Sequence, residues 1–117
     1  MADVPVKDSL FVIWSSPDPE TAHKLAFMYA HSALKKLWWG RVRLIIWGPS
    51  ARLAANDEQI RQRLREMMAD GVEVWACRAC SDGYGLSEPL EALGIDVFHV
   101  GQAVTDMLKE GWTSLNF

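Results

Sequence analysis

The sequence of 117 residues lacks long apolar runs and any excess of basic charge. No stretch approaches the roughly 20 apolar residues that span a bilayer, so we expect no membrane helix. The net charge is −3 at pH 7, whereas a nucleic-acid-binding protein presents a basic face. Residues 1–8 lack the basic-then-apolar layout of a secretory signal. These absences argue against a membrane or nucleic-acid partner and favour the cytoplasm.

Cysteine is also scarce, and the two cysteines that are present lie in one segment, Cys77-x-x-Cys80. A single close pair cannot build the multi-bridge framework of a small secreted domain. In a reducing compartment, such cysteines are more often reactive or metal-binding than structural. The pair is therefore the first candidate for a functional site.

What the chain does have is a regular alternation of short apolar runs and amphipathic segments. Strands are predicted at residues 10–14, 42–47, 72–76 and 95–100, with a fifth at 112–117. Helices are predicted at residues 19–38, from Asn56 onward, in two pieces within 77–93, and at 102–109, with a short turn after Pro49. This alternation is typical of an α/β domain with a mainly parallel five-stranded sheet and helices on both faces. We expect one domain over residues 1–117.

Ligands of open parallel sheets bind beyond the carboxyl ends of the strands. Three predicted strands end in a tryptophan followed by small or nucleophilic residues. These endings contribute the candidate binding residues Trp14, Ser15, Ser16, Trp47 and Trp75. They predict an aromatic-walled cleft with Cys77 at its rim, and the alternative is that the tryptophans only close the core.

Cys77 directly follows the third strand, at the start of a predicted helix. The free N–H groups and dipole of a helix start favour a thiolate, and Arg78 adds positive charge, although Asp82 could oppose it. Cys80 follows one turn later on the same face. Two alternatives stay open: both cysteines are inert packing residues, or they bind a metal with His99. The second lacks a full set of about four zinc ligands.

Residues 72–86, VEVWACRACSDGYGL, resemble the cysteine segment of the DsrE/DsrF-like sulfur-relay family, which includes YchN-like small proteins. Cys77 and Gly85 match its spacing of a strand, a cysteine and a glycine eight residues on. The layout of residues 10–38 and the glycine-aromatic ending at 111–117 are also similar. The resemblance implies a three-layer α/β/α fold and a homo-oligomer, often a trimer or hexamer. It also implies that Cys77 carries a persulfide and passes it to a partner protein.

The main functional hypothesis is sulfur transfer through Cys77, with a sulfur donor or acceptor protein as partner and no cofactor. Cys80, which matches a second cysteine of some YchN-like members, could resolve the persulfide by forming a disulfide. The alternative is a non-catalytic oligomeric module that binds a small ligand in the tryptophan cleft.

Overall fold

Five strands alternate with six helices in the computed structural model, which describes residues 4–117. The strands are β1 (Ser9–Trp14), β2 (Arg41–Ile46), β3 (Glu73–Cys77), β4 (Asp96–Phe98) and β5 (Thr113–Asn116). The helices are α1 (Pro19–Thr21, a π-helical turn Ala22–Ala26, and Phe27–Lys35), α2 (Ser50–Asn56), α3 (Glu58–Ala69), α4 (Arg78–Tyr84), α5 (Ser87–Ala92) and α6 (Gly101–Glu110). None of the helices in the described part is both long and apolar enough to cross a membrane.

The sheet is parallel throughout, in the order β4-β3-β2-β1-β5. The chain steps across the sheet from β1 to β4 and then returns to the far edge, where β5 pairs with β1. Right-handed crossovers place the helices of the first three connections on one face and α6 on the other. This arrangement confirms the predicted α/β fold with helices on both faces.

Two apolar cores lie on the two faces of the sheet, because neighbouring side chains of a strand point to opposite sides. Leu10, Val12 and Trp14 belong to the larger core, beneath the helices of the first three connections. Phe11 belongs to the smaller core, which α6 covers with Val104 and Met107 among others. β1 is thus buried on both faces, as its continuous apolar run predicts.

The first helix begins where the sequence predicts. Asp18 is its N-cap, and the Asp18 carboxylate accepts hydrogen bonds from the backbone N–H groups of Glu20 and Thr21. Pro19 occupies the first helical position, where its missing N–H costs nothing.

One connection differs from the prediction. The short turn expected after Pro49 is the helix α2, and Asn56, where the next helix was expected to start, is the last residue of α2. Asp57 caps α3 instead, and its carboxylate accepts a hydrogen bond of 3.0 Å from the N–H of Ile60. The alanines of residues 51–55 explain α2, since alanine has the highest helix propensity.

Candidate thiol site

The two cysteines lie at the junction of β3 and α4. Cys77 is the N-cap of α4, with extended backbone angles of φ −73° and ψ 118°, and its side chain makes no capping hydrogen bond. Cys80 is the third residue of the helix, and an N-cap side chain lies close to that position. Both thiols are free. Cys77 is only 6% exposed, whereas Cys80 is half-buried, so Cys80 lies nearer to the solvent than Cys77.

The sulfur of Cys80 is influenced by two neighbours. Burial raises the pKa of the Cys80 thiol above its ordinary value of 9.0, the backbone N–H of Gly48 acts in the opposite direction, and the Cys77 thiol raises the pKa further. The loop after β2 therefore meets the start of α4 at this sulfur. The raised pKa keeps Cys80 protonated at neutral pH, as a thiol that can donate a hydrogen bond.

Aromatic side chains share the core of the pair, on the face covered by α6. Trp47 and Trp75 pack in the same core as Cys77 and Cys80. Trp75 also makes an edge-on contact with Phe98, with ring centres 4.9 Å apart. The structure thus brings two of the three predicted cleft tryptophans to the thiols.

Trp14 does not join them, so a cleft walled by all three tryptophans is wrong. Trp14 is fully buried in the larger core, edge-on to Phe27 at 4.8 Å. Trp14 lies opposite Ile46 in the sheet, whereas Trp75 lies opposite Ile45. This offset of one residue places the two tryptophans on opposite faces of the sheet.

The two candidate serines serve the fold around the end of β1. The backbone N–H groups of Ser15 and Ser16 donate to the carbonyl oxygen of Phe117, at 2.7 and 3.3 Å. The Ser16 hydroxyl accepts a hydrogen bond from the N–H of Asp18. These contacts hold the end of β5 and the start of α1, and neither serine contacts the thiols through them.

Arg78 does not supply the free positive charge that its position predicts. Its guanidinium donates to the carbonyl oxygen of Val97 at 2.8 Å. It also pairs with the carboxylates of Asp82, at 3.8 Å, and Glu91, at 3.5 Å. The Arg78 guanidinium is thus bound by a carbonyl oxygen of β4 and by two carboxylates. It does not act on Cys77 as an unpaired cation.

Sequence reasoning missed two residues near the pair, Arg52 and Tyr84. Arg52 lies on α2 and Tyr84 ends α4, and the Arg52 guanidinium carbon is 4.3 Å from the centre of the Tyr84 ring. The sequence did not indicate Arg52 as a site residue, because a turn and not the helix α2 was expected there. The alanine-rich stretch after Pro49 is the signal that could have found it.

The metal hypothesis has no support in the described residues. Within residues 4–117, no three His, Cys, Asp or Glu side chains form a group that could hold a metal ion. The structure therefore does not bring His99 together with Cys77 and Cys80.

A second polar cluster lies on the same face of the sheet, towards the amino ends of the strands. Arg43, only 6% exposed, donates to Glu73 and to the sulfur of Met107, at 2.8 and 3.1 Å. Its guanidinium carbon lies 3.9 Å from the ring centre of Trp75 and 4.8 Å from that of Trp112. This cluster is a buried, neutralised charge between two aromatic rings.

A model of the DsrE/DsrF-like family matches residues 7–117, which include the thiol pair. The chain belongs to the DsrE/DsrF-like family. The resemblance read from the sequence is thereby confirmed, and membership places the chain in a family related to sulfur relay. No curated protein matches the sequence significantly.

Solved structures agree with the family. The conserved protein of unknown function BT1422 from Bacteroides thetaiotaomicron is 30% identical, with a TM-score of 0.93 over 99% of this chain and 100% of that one. The ychN protein from E. coli is 18% identical, with a TM-score of 0.76 over 95% and 99%. Protein MTH1491 from Methanobacterium thermoautotrophicum is 19% identical, with a TM-score of 0.76 over 93% and 97%. The last two likenesses concern the fold alone.

Proposed function

We propose that this DsrE-like protein carries sulfur as a persulfide on Cys77, with Cys80 as the residue that resolves it. The observation that carries the proposal is the pairing of two free thiols where β3 meets α4. Cys77 is the N-cap of α4, so its side chain lies at the helix end where backbone N–H groups have no intrahelical partner. Cys80 stays protonated beside it because its pKa is raised. One nucleophile and one neutral thiol are what persulfide chemistry needs.

In the loading step, the Cys77 thiolate attacks the outer sulfur of a donor persulfide, R–S–SH. A bond forms between the Cys77 sulfur and that outer sulfur, the S–S bond of the donor breaks, and the donor leaves as the thiolate RS⁻. The proton on the outer sulfur stays there, so the product is Cys77–S–SH. No external oxidant takes part.

In the absence of an acceptor, Cys80 completes the cycle. After losing its proton to solvent, the Cys80 sulfur attacks the inner sulfur of the Cys77 persulfide and displaces HS⁻. The two cysteine sulfurs are oxidised to a disulfide as the outer sulfur is reduced to sulfide. A dithiol reductant then restores both thiols.

Intact-mass spectrometry after incubation of the reduced protein with glutathione persulfide tests the loading. We expect an adduct of one sulfur atom on the wild type, none on Cys77→Ser, and a longer-lived one on Cys80→Ser. Wild-type protein should also release sulfide, whereas Cys80→Ser should not.

Two results would contradict the proposal. An adduct on Cys77→Ser equal to that on the wild type would remove the role of Cys77. Thiols that stay unmodified in the native wild type would favour the alternative, in which the cysteines only pack. The trimer or hexamer and the partner protein that the resemblance implies stay predictions.

A further inference from the structure

The rim of the thiol site carries an arginine stacked on a tyrosine. Arg52 is an exposed residue of α2, and its guanidinium lies over the ring of Tyr84, which is 37% exposed. Within residues 4–117, the arginine side chains that donate hydrogen bonds are others than Arg52, so its N–H donors are available to a ligand. Such a stacked guanidinium is held in place without losing its donors.

The position of this pair relative to the sulfurs follows from the two elements that hold it. Cys80 and Tyr84 are four residues apart on α4, so they share one face of that helix. Gly48, whose N–H acts on the Cys80 sulfur, lies four residues before Arg52. Tyr84 therefore lies about one helical turn beyond Cys80 along α4, and Arg52 contacts the ring of Tyr84 at 4.3 Å.

The charge of Arg52 is not neutralised. Among residues 4–117, the ion pairs involve other cations, and no carboxylate lies within 4.0 Å of the Arg52 guanidinium. Arg78, in contrast, is engaged by two acids. Arg52 is thus a free cation at the rim of the thiol site, and Trp47 packs with the thiols as an apolar neighbour.

We infer that Arg52 recognises the carboxylate of a low-molecular-weight thiol persulfide that loads the Cys77–Cys80 pair. This inference rests on the proposed function and specifies its donor. A guanidinium binds a carboxylate through two parallel N–H donors, which adds geometric selection to charge. A small donor suits the site because Cys77 is only 6% exposed, which leaves little room for a bulky group at its sulfur.

Two methanethiosulfonate reagents of similar size and opposite charge test the inference. The sulfonatoethyl and aminoethyl forms modify the thiols of the reduced native protein, and the ratio of their rates reports the charge at the rim. Wild-type protein should favour the anionic reagent more strongly than Arg52→Gln does, by about three- to tenfold, the range expected for one charge partly screened by water. Arg52→Lys should keep part of this preference. Arg63→Gln, on α3, is the matched control and should leave the ratio unchanged.

Glutathione persulfide supplies the second arm, with cysteamine persulfide as the donor without a carboxylate. Arg52→Gln should slow loading from the first donor and not from the second. An unchanged rate ratio in Arg52→Gln, or native thiols unreactive towards both reagents, would overturn the inference. Loading that fails with every donor, while the reagent ratio still depends on Arg52, would instead refute persulfide transfer and keep the anion preference.

Discussion

Two groups of side chains lie on the face of the sheet that α6 covers: the Arg43 cluster and the cysteine pair. They differ in how their polar atoms are bound by neighbouring residues. The guanidinium of Arg43 is buried, paired with Glu73, and stacked between Trp75 and Trp112. The Cys77 sulfur makes no capping hydrogen bond. Arg43 is thus held by a carboxylate and two aromatic rings as part of the fold, whereas the cysteine pair keeps two free thiols.

The positions of the groups along the strands explain the difference. The arginine cluster lies towards the amino ends, where the residues Met107 and Trp112, at the end of α6 and just after it, close over it. The thiols lie at the carboxyl end of β3, where parallel strands lead into loops and leave crevices for ligands. The same sheet thus builds a structural cluster at one end and a reactive site at the other.

Among the substitutions that test this comparison, Glu73→Ala should lower the free energy of unfolding most. It removes the carboxylate partner of a buried cation whose Nε already lacks a hydrogen-bond partner among the described residues. Removing one partner of a fully buried pair costs about 3–5 kcal/mol, and because the Glu73 side chain is 37% exposed we expect less here, about 2 kcal/mol. The free energy of unfolding, measured by denaturant titration, should fall by about that amount, and the native thiol modification rate should stay at its wild-type value.

The double variant Arg43→Met, Glu73→Ala is the control for this change. Removing the cation as well leaves an apolar side chain between the two tryptophans, so the double variant should be more stable than Glu73→Ala alone. A double variant that is less stable would indicate that Arg43 contributes mainly through its packing. A changed thiol rate in Glu73→Ala would show that the two groups are not independent.

A smaller effect is expected from Gly48→Ala at the thiol end. Gly48 has a φ of +85°, and a Cβ there would meet nothing closer than the Ser15 Cβ at 3.9 Å. The cost, about 1 kcal/mol, therefore comes from the backbone conformation. A backbone shift that moves the Gly48 N–H from the Cys80 sulfur would raise the pKa of that thiol further, because this N–H lowers it. The pH dependence of iodoacetamide modification measures this shift.

Gly83→Ala is the matched control for Gly48→Ala. Gly83 lies within α4, and a Cβ there would meet nothing within 4 Å. Alanine should stabilise the helix by up to about 1 kcal/mol. Equal stability changes in the two variants would contradict the argument from φ.

Much of the fold could be predicted because each strand and most helices carry a local pattern. The apolar run of β1, the start of α1 at Pro19 and the position of Cys77 where the third strand ends all depend on neighbouring residues. The exception, α2, has an alanine-rich sequence without a side-chain cap, and its polar first residue, Ser50, donates to the Trp14 carbonyl oxygen instead. Without that helix, the sequence does not place Arg52 beside Tyr84 near the thiols.

The parts that could not be predicted depend on register. Whether Trp14 faces the thiols is decided by its pairing with Ile46, and a shift of one residue reverses the face. No single strand contains that information. The burial of Arg43 likewise depends on Trp112, which is 69 positions away along the chain and meets it only once β5 returns to the sheet.

The smallest expected effect is on the pH dependence of stability, to which Glu73 contributes at acid pH and Cys80 at alkaline pH. Burial alone would raise the pKa of Glu73, but hydrogen bonds from Arg41 and Arg43 outweigh it and hold that pKa below its ordinary value of 4.5. The stability that Glu73 contributes is therefore fully present above about pH 4.5 and is lost as the pH falls through the lower folded value. Because Glu73 is partly exposed, water screens the pair and the effect stays below that of Glu73→Ala.

Cys80 behaves in the opposite way, since its pKa is raised above 9.0. The folded state holds the proton more tightly than the unfolded chain, so stability falls as the pH rises past about 9. Denaturant titrations across the pH range should show that Glu73→Gln flattens only the acid limb of the stability curve and Cys80→Ser only the alkaline limb. If either variant changed both limbs, the two groups would be coupled through Trp75, which contacts Arg43 and packs in the core of the thiols.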